Sequence, residues 1–191
     1  MNQGFTLFET PIGLCGLAWN EHALIGAQLP EAAPGAGWAR LRRRYPDAVE
    51  ASPPPAAVQN AIGRINALLA GGRDDLIDLA LDFDRVAPFN RRVYEIARAI
   101  PPGETSTYGQ IAKAMGEPGA ARAIGKALGD NPWPIIVPCH RVLAADGKSG
   151  GFSAPGGVAA KARLLTIERA RTSRAPTLFD MEFSVAPGRR R

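Results

Sequence analysis

The chain has 191 residues, 46% of them hydrophobic and 21% charged, which is the composition of a soluble protein with a core of its own. Two cysteines exclude a disulfide scaffold and a four-cysteine zinc site, and no apolar run reaches the roughly 20 residues of a membrane helix. The net charge of +5, with a pI near 9.7, is carried unevenly. Residues 1–85 hold 7 Lys/Arg and 10 Asp/Glu, residues 86–170 hold 11 and 6, and residues 171–191 hold 5 and 2. A basic second half behind an acidic first half predicts a polyanion partner for the second half. The N-terminus, MNQGFTLFET, has an early acid and no basic flank, so no signal peptide and a reducing cytoplasm are expected.

In chain order, Phe5–Thr10, Leu14–Trp19 and Ala23–Leu29 read as three strands of an antiparallel meander. They are parted by turns at Pro11-Ile12-Gly13 and Asn20-Glu21. Trp38–Arg44 reads as a short basic helix. Val58, Ile62, Ile65, Leu68 and Leu69 recur at helical spacing up to Gly71-Gly72, and Leu76–Phe83 alternates like a half-buried strand. This α+β unit, residues 1–85, shows no catalytic constellation and reads as scaffold.

Residues 86–170 read as mostly helical. Phe89, Val93, Ile96 and Ile100 form one helix face. Ser106–Met115, capped by Ser106 or Thr107, and Ala120–Leu128 follow, separated by Gly116-Glu117-Pro118-Gly119. Two short helices around a glycine-containing turn make a helix-turn-helix pattern, with Arg122 early in the second helix.

The chemistry concentrates in Pro134-Ile135-Ile136-Val137-Pro138-Cys139-His140-Arg141-Val142. An apolar run delivers a cysteine behind a rigid proline, and the next two residues are types that lower a thiol pKa. The alternative is a buried core cysteine beside a satisfied histidine. Neighbouring side chains often diverge, so a proton between Cys139 and His140 would need a water. Cys15 reads as a core residue, and zinc is discarded because four ligands would have to include Cys139 and His140. Gly150 to Gly157 is a glycine-rich loop, either a linker or a wall for a flat substrate, and a final helix spans Val158–Ala170. Leu164, Leu165 and Ile167 read as its core positions. On residue type alone Glu168 reads as solvated, the other reading being a carboxylate that orients His140.

Together these residues resemble the O6-alkylguanine-DNA alkyltransferases. The resemblance runs from Phe89 to about Ala170. It is carried by Pro138-Cys139-His140-Arg141-Val142, Thr107-Tyr108-Gly109-Gln110-Ile111-Ala112, Ala120-Ala121-Arg122-Ala123-Ile124-Gly125, Asn131-Pro132, and Lys161-Ala162-Arg163-Leu164-Leu165 with Glu168. It implies an α+β fold with a ribonuclease H-like N-terminal sheet and a winged-helix-like, helix-turn-helix C-terminal domain, followed by a basic disordered tail at 171–191. It implies single-turnover transfer of an alkyl group from O6-alkylguanine, or O4-methylthymine, in duplex DNA to Cys139. No metal or cofactor is called for, and the protein is expected to be a cytoplasmic monomer that does not bind membranes, with clustering on DNA left open.

The resemblance also assigns roles. Cys139 accepts the alkyl group, His140 takes its proton through a water, Glu168 orients His140, and Tyr108 donates toward the departing base. Asn131 stiffens the turn before the active-site loop. Arg122 fills the space of the flipped nucleotide, with Ala120, Ala121, Ala123, Lys126 and Arg141 also facing DNA. Backbone groups of Cys139, Val142 and Ser153 hold the base, in a pocket shared with Tyr108 and Phe152. Such chemistry requires the base to leave the stack, at a cost of a few kcal/mol. The chain departs from the family at the loop, where Phe152-Ser153-Ala154-Pro155-Gly156-Gly157 replaces a tyrosine, a serine and two glycines in a row. A lesion-binding relative without transfer activity is the alternative reading, though such relatives replace the cysteine. A third reading, an unrelated cysteine hydrolase, lacks an identifiable oxyanion hole.

Overall fold

The computed structural model describes residues 3–145 and 151–171. Strands β1 (Gly4–Phe8), β2 (Cys15–Trp19) and β3 (Leu24–Gln28) form the expected antiparallel meander, and β4 (Val49–Glu50) adds in parallel to give the order β3-β2-β1-β4. The Asn20 turn closes locally, its side-chain oxygen accepting from the amides of His22 and Ala23, both at 2.9 Å.

The sheet is covered on both faces. Helix α1 (Ala36–Arg44) packs Leu41 against Phe5 and Ala18 on one face. Helix α2 (Ala56–Leu69) turns Val58, Ala61, Ile65 and Leu68 to the other, against Leu17 and Trp19. Gly16 and Gly26 permit the first contact. A Cβ on Gly16 would stand 2.6 Å from Leu41 Cδ1, and one on Gly26 would overlap the Tyr45 hydroxyl.

The expected strand at 76–83 does not form. Leu24 makes a single bridge to Leu81, Leu76 has φ of 57°, and Ile77 is 49% exposed. One Nη2 of Arg98 binds the carbonyls of Leu76, Ile77 and Leu79 at 2.7–3.1 Å. Successive carbonyls of a strand point to opposite sides, so convergence on one guanidinium is incompatible with extended pairing. Arg64 tightens the same wrap by gripping Asp74 and Asp78.

The second half is built from α3 (Pro88–Arg98), α4 (Tyr108–Ala114), α5 (Ala121–Gly129) and α6 (Gly157–Ile167). Thr107 caps α4 in a reciprocal box with Gln110. Gly116, with φ of 76°, ends the helix, and Arg92 pins the following turn through the Met115 carbonyl and Glu117. Helices α4 and α5 pack on each other and on α3, as the helix-turn-helix pattern requires. Two very short parallel strands, β5 (Ser106–Thr107) and β6 (Val142–Leu143), tie the start of α4 to the chain leaving Cys139. Neither was legible as a strand, because two residues have no periodicity.

The hydrophobic core crosses the expected boundary near residue 85. One cluster runs from Cys15 and Leu17 through Val93 and Ile111 to Val137 and Cys139. Trp133 sits at the junction. It packs edge-on against Phe83 and Tyr94, and its Nε1 donates to the Leu24 carbonyl at 2.9 Å. Among the described residues no helix is long and apolar enough to cross a membrane. Residues 172–191 of the expected basic tail lie outside the described residues.

Candidate active site

Cys139 opens a single 3-10 turn, Cys139–Arg141, that follows Pro138. Asn131 organises the approach. Its Nδ2 donates to the Val137 carbonyl at 2.8 Å while its Oδ1 accepts from the Trp133 amide at 2.9 Å, so one side chain spans the loop. The Ala27 amide, on β3, donates to the Pro132 carbonyl at 2.8 Å, so the N-terminal sheet holds this loop from outside.

The thiol is 8% exposed and lines an open cavity of about 560 Å³ with Tyr108, Ala121, Gly125, Phe152 and Ser153. Burial raises the Cys139 pKa. The Asn131 side chain and the positive charge of Lys161 act against that rise. The resting group is therefore a thiol that must lose its proton to react. Tyr108, at the first position of α4, is half-buried, and burial followed by the nearby Cys139 keeps its phenol protonated.

His140 and Arg141 are fully buried and share one acceptor. His140 Nε2 lies 2.9 Å from Glu168 Oε1. Arg141 donates to Glu168 through Nε at 2.9 Å and Nη2 at 2.8 Å, and through Nη1 to the Ile100 carbonyl at 2.6 Å. Burial pushes the Glu168 pKa up, but the hydrogen bonds from His140 and Arg141 outweigh it and hold the carboxyl at about 2. Burial lowers the His140 pKa despite its carboxylate partner, so the ring is neutral. A neutral imidazole bonded to a carboxylate carries its proton on that nitrogen, Nε2. Nδ1 is then the basic nitrogen, and it is buried with no hydrogen-bond partner among the described residues.

Two readings of these residues are corrected. Arg141 was expected to face DNA, yet it is fully enclosed and held by Glu168 and the Ile100 carbonyl, so no phosphate can reach it. Val142, expected to hold the base through its backbone, has its side chain fully buried in β6, off the cavity wall. Its carbonyl takes the Lys161 ammonium at 2.7 Å. Glu168, solvated on residue type alone, is 9% exposed, because as the C-cap of α6 it continues the buried helix face of Lys161, Leu164 and Leu165.

Lys161 had been given no role. It is fully buried on α6, its pKa is lowered by burial, and the Cys139 thiolate is the charge that would favour its ammonium. A lysine flanked by alanines at 159, 160 and 162 in the last helix was the available signal. Ser153 is exposed on the cavity rim, its hydroxyl donating to the Gly129 carbonyl at 2.8 Å. Arg122, Ala123 and Lys126 are exposed on α5, and Ala120 and Ala121 lie at its start. Cys15 is buried as a core residue, with its thiol pushed up to about 11 by burial.

Residues 88–170, which contain every one of these side chains except Cys15, match the family model of the 6-O-methylguanine DNA methyltransferase, DNA binding domain. Beyond that segment, the methylated-DNA–protein-cysteine methyltransferase of Mycobacterium tuberculosis is 38% identical over 177 residues, covering 92% of this chain and 98% of the relative. The chain belongs to the methylated-DNA–protein-cysteine methyltransferase family. The member from Mycobacterium leprae is 40% identical over 173 residues, 90% of this chain and 96% of its own. The family's fold is shared too. A crystal structure of the M. tuberculosis OGT in complex with DNA superposes with a TM-score of 0.70 at 36% identity, covering 87% of this chain and 92% of that one. The O6-methylguanine-DNA methyltransferase of Pyrococcus kodakaraensis gives 0.67 at 27% identity, over 86% of this chain and 98% of that one.

Proposed function

We propose that this chain repairs duplex DNA by irreversible transfer of the alkyl group of O6-alkylguanine to Cys139. One molecule would be consumed per lesion, acting as a cytoplasmic monomer. The observation that carries the reading is the buried thiol on the cavity wall beside an imidazole whose Nε2 is held by Glu168 and whose Nδ1 is free to accept a proton.

The geometry supports each step. An exocyclic O6 lies inside the base stack, so the nucleotide must be extruded, and Arg122, exposed on α5, would occupy the gap. The base enters between Tyr108 and the 152–153 loop. His140 Nδ1 takes the thiol proton through a water. The sulfur attacks the alkyl carbon as the C–O6 bond breaks, and the electron pair stays with the base. Tyr108 donates a proton toward the ring as it leaves, which makes guanine a better leaving group. Glu168 holds the imidazole tautomer throughout, and Arg141 supplies the buried counter-charge.

Incubation with a duplex carrying O6-methylguanine, followed by peptide mass analysis, tests this reading. One methyl mass is expected on the peptide containing Cys139. Retained DNA binding with an unchanged mass would instead indicate a lesion-binding protein without transfer.

A further inference from the structure

The space beside Cys139 has two chambers. The second, of about 320 Å³, shares Leu128, Gly129, Cys139, Phe152 and Ser153 with the first. The chambers differ in chemistry. The walls found only in the first include Ala121 and Gly125, whereas those found only in the second include Gln28, Arg40, Arg44, Asp130 and Asn131. Arg40 and Arg44 come from α1, four residues apart on one helix face, in the half of the chain that carries net negative charge.

Arg40 and Arg44 face Asp130 on the wall and Glu31 beside it, so the formal charges balance, but they are not paired evenly. Arg40 Nε contacts Glu31 at 2.5 Å, and Glu31 also accepts from Gln28 Nε2 at 3.1 Å, so that carboxylate is engaged. Asp130 is the acidic residue on the wall itself. Arg44 forms no ion pair among the described residues, and its guanidinium lies 5.6 Å from the centre of the Tyr45 ring. A guanidinium without a carboxylate partner presents a planar fork of donors suited to carboxylate or phosphate oxygens.

We propose that the second chamber is an anion subsite beside the reactive thiol, formed by Arg44 with Arg40 from the N-terminal unit. It rests on the alkyl-transfer reading. In-line displacement places Sγ and O6 on opposite sides of the carbon transferred, so any group attached to that carbon projects sideways. With the base in the first chamber, and Cys139 on the wall of both, the second chamber is the space beside the attack line. The step balances as before. The S–C bond forms, the C–O6 bond breaks, the thiol proton passes to His140 while Tyr108 protonates the departing guanine, and the carboxymethyl or other anionic group stays on sulfur unchanged. The anion is either a carboxylate on the transferred alkyl group or a phosphodiester of the extruded strand.

Single-turnover rates of the full chain on three duplexes, carrying O6-methyl-, O6-carboxymethyl- or O6-propylguanine, test this. Carboxymethyl and propyl have similar length and differ in charge. For an adduct carboxylate, the unmodified protein should transfer carboxymethyl about tenfold faster than propyl, the gain of a charge-assisted hydrogen bond. Arg44→Ala and Arg40→Ala/Arg44→Ala should abolish that preference with methyl transfer unchanged, and Arg44→Lys should keep part of it. For a strand phosphate, Arg44→Ala should slow all three duplexes by one common factor and leave the same adducts as free bases untouched. Unchanged rates for all three duplexes, or a loss on free O6-methylguanine, would overturn the subsite. Absence of methyl transfer by the unmodified protein would instead defeat the alkyl-transfer reading beneath it.

Discussion

His140 and Glu168 are joined by a 2.9 Å contact in which neither side chain touches solvent appreciably. That contact decides the tautomer of the ring, and with it which nitrogen is available as a base. Arg141 lies on the same carboxylate, so the catalytic orientation and a buried charge pair depend on one residue.

Glu168→Gln should therefore damage stability and rate together. The amide leaves the Arg141 guanidinium buried without its counter-charge, at a cost of about 3–5 kcal/mol. It also frees His140 to adopt either tautomer. Denaturant unfolding and single-turnover alkyl transfer should both fall, and a variant of native stability with native rate would contradict the arrangement.

The pH dependence of stability follows from the same group. Glu168 sits at about 2 in the folded chain against an ordinary value of 4.5, so its contribution is complete above pH 4.5 and disappears as pH falls toward 2. The shift corresponds to about 3 kcal/mol. The lowered His140 pKa adds in the same direction, because the unfolded ring gains its proton first as pH falls below 6.5. Unfolding free energy measured from pH 7 to pH 3 should decline. The decline through pH 4.5 should be shallower in Glu168→Gln.

Lys161→Met removes the buried ammonium that opposes the rise of the Cys139 pKa. The thiol should then ionise less readily, moving the pH–rate profile of alkyl transfer to higher pH. A profile that keeps its midpoint while stability drops would reduce Lys161 to a packing role against the Val142 carbonyl.

Asn131→Ala leaves the Trp133 amide without a partner among the described residues and strips the Val137 carbonyl of one of its two donors, the Cys139 amide at 2.8 Å remaining. An unsatisfied buried group costs about 1–3 kcal/mol. Because those groups bracket the Cys139 loop, transfer from a free base such as O6-methylguanine should slow as much as transfer from duplex DNA.

Arg122→Ala should separate the two substrates. The side chain is exposed on α5, away from the buried His140 and Glu168, so reaction with the free base should persist while duplex repair drops sharply. Duplex binding should also weaken steeply with salt, as contacts to phosphates require. Equal loss on both substrates would remove Arg122 from base extrusion.

Local patterns were enough for much of this protein. The meander was readable because strand alternation and the turns at Gly13 and Asn20 are short-range features. The helix-turn-helix was readable from the Thr107 cap and the break at Gly116. Cys139 and His140 stood out as one of only two cysteines beside one of only two histidines, and motif order supplied the family. What stayed hidden depends on contacts between distant residues. The alternation at 76–83 suggested a strand, and Arg98, some twenty residues away, turns its carbonyls to one point instead. Arg141 has the residue type of a phosphate contact. Only the fold shows that Glu168, 27 residues later, takes that charge into the core. Lys161 carries no spacing that ties it to Cys139, because a thiol's electrostatic neighbours are chosen by packing and not by sequence distance.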